Sequence, residues 1–270
     1  MLVGHRTLVD LFIQLSEKEK LASGYIFFGQ DQVGKKTFAE SLAHYLEGRD
    51  FEPSSHILQD TLRIEPTNES IGIDTARKIK SYLSETPIAS ARRIVIVNQA
   101  QMLTLQAENA LLKISEETPQ HSLIIFITTN PEALLGTLSS RLQKIYFGPV
   151  ANKELERMFP GKGISSKERE GLMRVAAGSP GRLKKLFGEE GSVEETARKV
   201  IAASPETRKK LLKEYLDEDE SPLALLDALL LISFADSKRK TALILKILKA
   251  KRELSTLNLN SRLQLENIFS

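Results

Sequence analysis

Residues 24–38, GYIFFGQDQVGKKTF, place a short apolar run between Gly24 and Gly29, then a polar loop, then apolar residues at helical spacing from Lys35 to Leu46. This reads as strand, loop, helix. The alternation continues on both sides of Pro66, with a strand at 60–66 (DTLRIEP), a helix over Asp74 to Ser84 and a strand at 92–98 (RRIVIVN). A helix from Thr104 to Glu117 stops ahead of Pro119, and strands follow at 122–129 (SLIIFITT) and 143–147 (QKIYF). IVIV and LIIFI are apolar at every position, not at every second one, so both faces of the sheet must be covered. The pattern predicts an α/β domain over residues 1–150 with a five-stranded parallel sheet between helices.

Beyond residue 150 the pattern changes to short amphipathic helices broken by GKG at 161–163, GSPG at 178–181 and GEEG at 188–191. The expectation is a small helical module over 151–189 and a helical bundle over 190–270. At 270 residues, 41% hydrophobic and 27% charged, the chain has the composition of a globular protein. Lys and Arg number 38 against 35 Asp and Glu, a net charge of +3 that neither demonstrates nor excludes a nucleic-acid partner. There is no Cys, and the four His, at 5, 44, 56 and 121, are scattered, which argues against thiol chemistry and a zinc site. The opening MLVGHRTLVDLFIQ is unlike a secretory leader, and the apolar window Pro222 to Ala235 is too short for a membrane span and contains Asp227. A cytoplasmic protein with no membrane contact is expected, with Leu223, Leu226, Leu230, Ile232 and Phe234 in the core of the bundle.

The loop Gly29 to Thr37 matches GxxxxGK. Glycines at 29 and 34 let backbone N–H groups curl around phosphate oxygens, the helix amino terminus adds its dipole, and Lys35 reaches the terminal phosphates. The next position, which ordinarily offers Mg²⁺ a hydroxyl, is Lys36, and Thr37 comes one residue late, about 100° round the helix. Strand 92–98 ends in Asn98 and Gln99, where a working phosphate-loop ATPase carries a metal-holding acid and a water-polarising acid. An amide has no useful basicity at neutral pH, so hydrolysis at this chain's own site is not expected. The loop's ligand, if it keeps one, is ATP or ADP, with Mg²⁺ ligation in doubt.

QML at 101–103, NALLK at 109–113, EETP at 116–119, FITTNP at 126–131, SSRLQ at 139–143 and AAGSPGR at 176–182 together resemble the clamp-loader branch of the AAA+ ATPases. Within that branch they resemble the delta-prime subunits of bacterial DNA polymerase III. The resemblance implies a phosphate-loop AAA+ domain, a helical lid and a helical collar. It further implies a role in loading the ring-shaped sliding clamp on primed DNA, with motor (tau/gamma) and delta subunits as partners. Arg141 matches the arginine finger that enters a neighbouring subunit's ATP site, with Leu142 where the family usually has Cys. Thr129 corresponds to the polar sensor of the γ-phosphate and Arg182 to the lid arginine. In an empty pocket Thr129 would instead satisfy strand-end backbone and Arg182 would pair the lid to the core. The family's four-cysteine zinc module is missing, its interval at 48–60 carrying only His56. The basic residues Lys209, Lys210, Lys213, Lys238, Arg239, Lys240, Lys249, Lys251 and Arg252 are assigned to a solvated assembly face, since acids lie among them. The implied function is a non-hydrolysing subunit. The alternatives are an active motor-type ATPase or a nucleotide-binding protein without turnover.

Overall fold

Strands that are apolar at every position require two cores, one on each side of the sheet. The computed structural model supplies them, and describes residues 2–52, 57–67, 70–116, 119, 121–159, 166–187, 193–217, 222–235, 241–257, 265 and 267–269. Strands β1 (Gly24–Phe28), β2 (Thr61–Ile64), β3 (Arg93–Val97), β4 (Ser122–Thr128) and β5 (Gln143–Tyr146) form one sheet in the order β2-β3-β4-β1-β5. Every neighbouring pair is parallel. Around it lie α1 (Arg6–Glu17), α2 (Lys35–Gly48), α3 (Ile73–Ser84), α4 (Leu105–Glu116) and the one-turn α5 (Gly136–Ser139).

Successive residues of the inner strands enter opposite cores. Tyr25, Phe27, Ile94, Ile96, Leu123, Ile125 and Ile127 pack with Phe12 of α1 and with Phe38 and Leu42 of α2. Ile26, Val95, Val97, Ile124 and Phe126 pack with Ile79 and Leu83 of α3, Leu111 of α4 and Leu138 of α5. Phe12 holds α1 in place, since its ring meets those of Tyr25, Phe27 and Phe38 at centroid distances of 5.1, 5.7 and 5.4 Å. A Cβ on Gly24, where β1 starts, would lie 2.3 Å from Leu142 Cδ2, so a larger residue there would displace the end of that side chain. Leu142, standing where the resemblance expects Cys, fills the space that the bare α-carbon leaves.

β2 is shorter than the 60–66 run, and Asp60 falls just outside it. The Asp60 carboxylate is fully buried, where it accepts from the N–H groups of Ile88, Ala89 and Ser90 and pairs with Arg93 Nη1 at 3.0 Å. It anchors the loop between α3 and β3 to the start of the sheet.

The chain divides into two compact units, 1–151 and 152–270. The described elements of the second unit are α6 (Asn152–Leu155), α7 (Ser166–Ala176), α8 (Pro180–Phe187), α9 (Val193–Ala202), α10 (Pro205–Asp217), α11 (Pro222–Ala235) and α12 (Thr241–Leu257), with a 3-10 turn at 156–158. Leu225, Leu226, Leu229 and Leu230 of α11 share a core with Val200 of α9, Leu212 and Tyr215 of α10, and Ile247 of α12. This corrects the expected stripe, because Leu223 is 38% exposed. α11 is apolar nearly all the way round, so its period could not show which side faces inward. The Phe234 side chain, the GKG and GEEG breaks and the expected boundary at 189–190 lie outside the described residues. Lys210 pairs with Glu214, Lys249 with Glu253 and Lys251 with Asp227, so these basic residues sit on a mixed-charge face. Among the described residues no helix is long and apolar enough to cross a membrane.

Candidate functional site

Parallel register brings the functional positions of four strands to one rim. Phe28 is level with Thr128, Val97 with Phe126 and Ile64 with Val97, so Gly29, Thr129, Asn98 and Glu65 all follow the carboxyl ends of their strands. Gly29 has φ +136°, and a Cβ there would lie 2.2 Å from the carbonyl oxygen of Phe147, a backbone approach that only glycine permits. Gly34, at φ +109°, turns the loop into α2. His5 Nε2 lies 2.9 Å from the carbonyl oxygen of Val33, which ties the amino-terminal segment to the loop.

Lys35 is buried, and its ammonium donates to the carbonyls of Gly29 at 2.8 Å and Gln30 at 2.7 Å. Burial pushes its pKa below the usual lysine range, an effect partly offset by the charge of Asp31. The Asp31 carboxylate also accepts the N–H of Gln32 within the loop. Lys36 ion-pairs with Glu65 at 2.7 Å, and the same carboxylate accepts from Asn98 Nδ2 at 2.8 Å. Burial alone would raise the Glu65 pKa, but the bonds from Lys36 and Asn98 and the Lys36 charge outweigh it and hold the group below the usual glutamate range. Gln99 is exposed, in the left-handed region at φ 49°, where it starts a 3-10 turn, and Thr37 is half-buried on α2.

Two glycines and a lysine at the head of a helix fit a phosphate group. The fit to Mg²⁺ fails, because the ion takes oxygen ligands and the position that should offer one carries an ammonium paired to Glu65. Among the described residues no group of three or more His, Asp or Glu is placed to hold a metal ion. Thr129 is exposed just beyond β4. The backbone-satisfying role expected of it belongs to Thr128, whose Oγ1 donates to Asn130 O at 3.0 Å and accepts from Asn130 N at 3.2 Å.

Arg141 lies at the other rim, between α5 and the start of β5, exposed, with Nη1 donating to Thr137 O at 3.0 Å. Gln143 is level with Tyr25, so at least four residues of β1, roughly 13 Å of strand, separate it from the loop that starts at Gly29. Arg182, in the second unit, donates to the carbonyl of Val175 at 3.5 Å. His56 lies outside the described residues. Sequence reasoning missed Glu65 and Asp31, since no motif marks them, and gave His5, in the GH at 4–5, no contact, because these contacts depend on strand order and on the amino-terminal segment folding back. The residue pattern alone also missed Glu108 of α4, which is buried and accepts the N–H of Leu135 at 2.6 Å ahead of α5.

Residues 4–151, with this sheet order and loop, match the family described as DNA polymerase III, delta subunit. The chain belongs to that clamp-loader family. It is delta-prime-like: it is 32% identical over 146 residues to the DNA polymerase III subunit delta' of Escherichia coli, covering 53% of this chain and 44% of that one. It is also 26% identical over 201 residues to the subunit gamma/tau of Mycoplasma genitalium, covering 67% of this chain and 33% of that one. This clamp-loader-family chain thus spans less than half the length of either relative. Among solved structures, the DNA polymerase III gamma subunit-related protein of Thermotoga maritima superposes with a TM-score of 0.68 at 21% identity, over 95% of this chain and 96% of that one. The RuvB Holliday junction branch migration motor of Thermotoga maritima superposes with a TM-score of 0.53 at 15% identity, over 96% and 83%. Both likenesses agree with a phosphate-loop AAA+ fold.

Proposed function

We propose that this chain is a non-hydrolysing clamp-loader subunit, which acts with motor (tau/gamma) and delta subunits to place a sliding clamp on primed DNA. The observation that carries the reading is the Lys36–Glu65–Asn98 cluster, which puts a cation and an amide where a metal ligand and an acid are needed. A site without Mg²⁺ ligation or a general base lacks the means to orient and activate water against a phosphate. The position of Arg141 supports a role in trans, since it is a strand's length from this chain's own loop and is a permanently charged fork suited to phosphate oxygens. On this reading Arg141 meets charge developing on the γ-phosphate held by a neighbour, with the lid and collar over 151–189 and 190–270 serving assembly. A second reading, nucleotide held without turnover, draws on the intact Gly29, Gly34 and Lys35.

The test is steady-state ATP turnover of the purified chain alone, then mixed with motor and delta subunits, clamp and primed DNA. Silence alone with activity in the mixture is expected, and turnover by the chain alone would overturn the reading. Arg141→Ala should leave the complex assembled by size exclusion while lowering its stimulated turnover by about ten-fold or more. Unchanged turnover would remove Arg141 from the mechanism.

A further inference from the structure

At the rim opposite the phosphate loop, the segments leading into β1, β3 and β4 surround a cleft of about 710 Å³. That volume is within the range of small-molecule sites, and its walls carry groups without a charge partner among the described residues. Arg92 precedes β3, and its guanidinium donates to the carbonyls of Leu21 at 2.9 Å, Ala22 at 3.3 Å and Ser122 at 3.4 Å. These neutral acceptors fix the fork, yet among the described residues Arg92 has no carboxylate partner. A desolvated guanidinium gains most from an anion, because Coulomb attraction is stronger where water is scarce.

His121, just ahead of β4, stands level with Arg92, one residue before the Arg93–Ser122 pair. Its Nε2 is buried with no hydrogen-bond partner among the described residues. Ser16 and Ser23 add hydroxyls, and Glu19, which lines the same cleft, makes no ion pair among the described residues.

We propose that this cleft binds a small anion, a carboxylate or a phosphate, whose charge is met by Arg92 beside the imidazole of His121. A guanidinium already fixed by three carbonyls loses little freedom on binding, which favours the site.

The experiment follows the imidazole signals of the full chain by NMR during titration with inorganic phosphate and, separately, with succinate, at constant ionic strength kept with potassium chloride. His121→Gln assigns the reporter. His5, which lies against Val33 in the phosphate loop, reports any phosphate taken up there, so the two sites are read apart. The expected result is a saturable shift of the His121 signals, with half-saturation on the order of 1 mM. Saturation by phosphate alone identifies a phosphate ligand, and saturation by succinate alone a carboxylate. Arg92→Lys, which keeps the charge and loses the fork, should weaken binding about ten-fold. A shift that stays linear with both anions, or that chloride alone reproduces, overturns the proposal. Undiminished affinity in Arg92→Lys overturns the role of the guanidinium, and the wild-type titration decides the site even if that variant fails to fold.

Discussion

Asp60 and Glu108 are both buried carboxyl groups, and their surroundings drive them in opposite directions. Burial pushes the Asp60 pKa up, but the N–H groups of Ser90, Ile88 and Ala89 and the charge of Arg93 outweigh it and hold the group below the usual aspartate range. A carboxyl with a depressed folded pKa contributes stability above its unfolded value, about 3.9, and loses it as pH falls through the folded value. Asp60→Asn should therefore cost about 3 kcal/mol in urea unfolding at pH 7, because Arg93 loses its buried partner. The difference from wild type should shrink on acidification, and a loss under about 1 kcal/mol at pH 7 would show that the anchor does not hold the loop. For Glu108, burial raises the pKa and the single bond from Leu135 N only partly offsets it. The ionised form is then penalised in the fold, and the penalty appears as pH rises past the unfolded value of about 4.3. Glu108→Gln keeps an acceptor for Leu135 and removes that penalty. Its thermal midpoint at pH 7 should equal or exceed that of wild type, with the advantage gone near pH 4, and a clear drop at pH 7 would mean that the charge itself is needed.

At the scale of elements, the phosphate loop is shaped as much by its neighbours as by its own sequence. Gly29→Ala would drive a methyl into the Phe147 carbonyl, so it should destabilise the chain by more than about 1 kcal/mol whether or not nucleotide is present. Urea unfolding with and without ATP checks this, and a stable variant would show that β5 can retreat from the loop. The strands and the loop were legible in the sequence because runs such as IVIV and a GxxxxGK turn are local patterns. The Lys36–Glu65–Asn98 cluster was not, since it joins residues from three segments that only the order β2-β3-β4-β1 brings near. Asp60 read as part of a strand because nothing in DTLRIEP announces that the loop at 88–90 folds over it. On α11 the failure was different: its abundance of Leu left no polar face to orient the helix, so Leu223 was placed inside and Leu225 and Leu229 were not named. At the site, the motif gave Gly29, Gly34 and Lys35 their places, whereas the hydroxyl next to Asn130 is one residue earlier than the strand-end reading placed it.

For the molecule as a whole, residues 1–151 contain both cores of the sheet and form a compact unit of their own. Expressed alone, that unit should unfold in one cooperative step in urea with dispersed NMR signals, and a gradual transition would mean that it depends on residues 152–270 for its packing. The parallel sheet also gives this unit a front and a back. Lys35 stands at one rim and Arg141 at the other, so two such molecules meeting through these residues must stand in file, each behind the next, and cannot face one another as mirror-like halves. A file has a first place and a last. On the function proposed above, a member that gives Arg141 to a neighbour and carries Lys36 where a metal ligand is needed would fill an end of such a file.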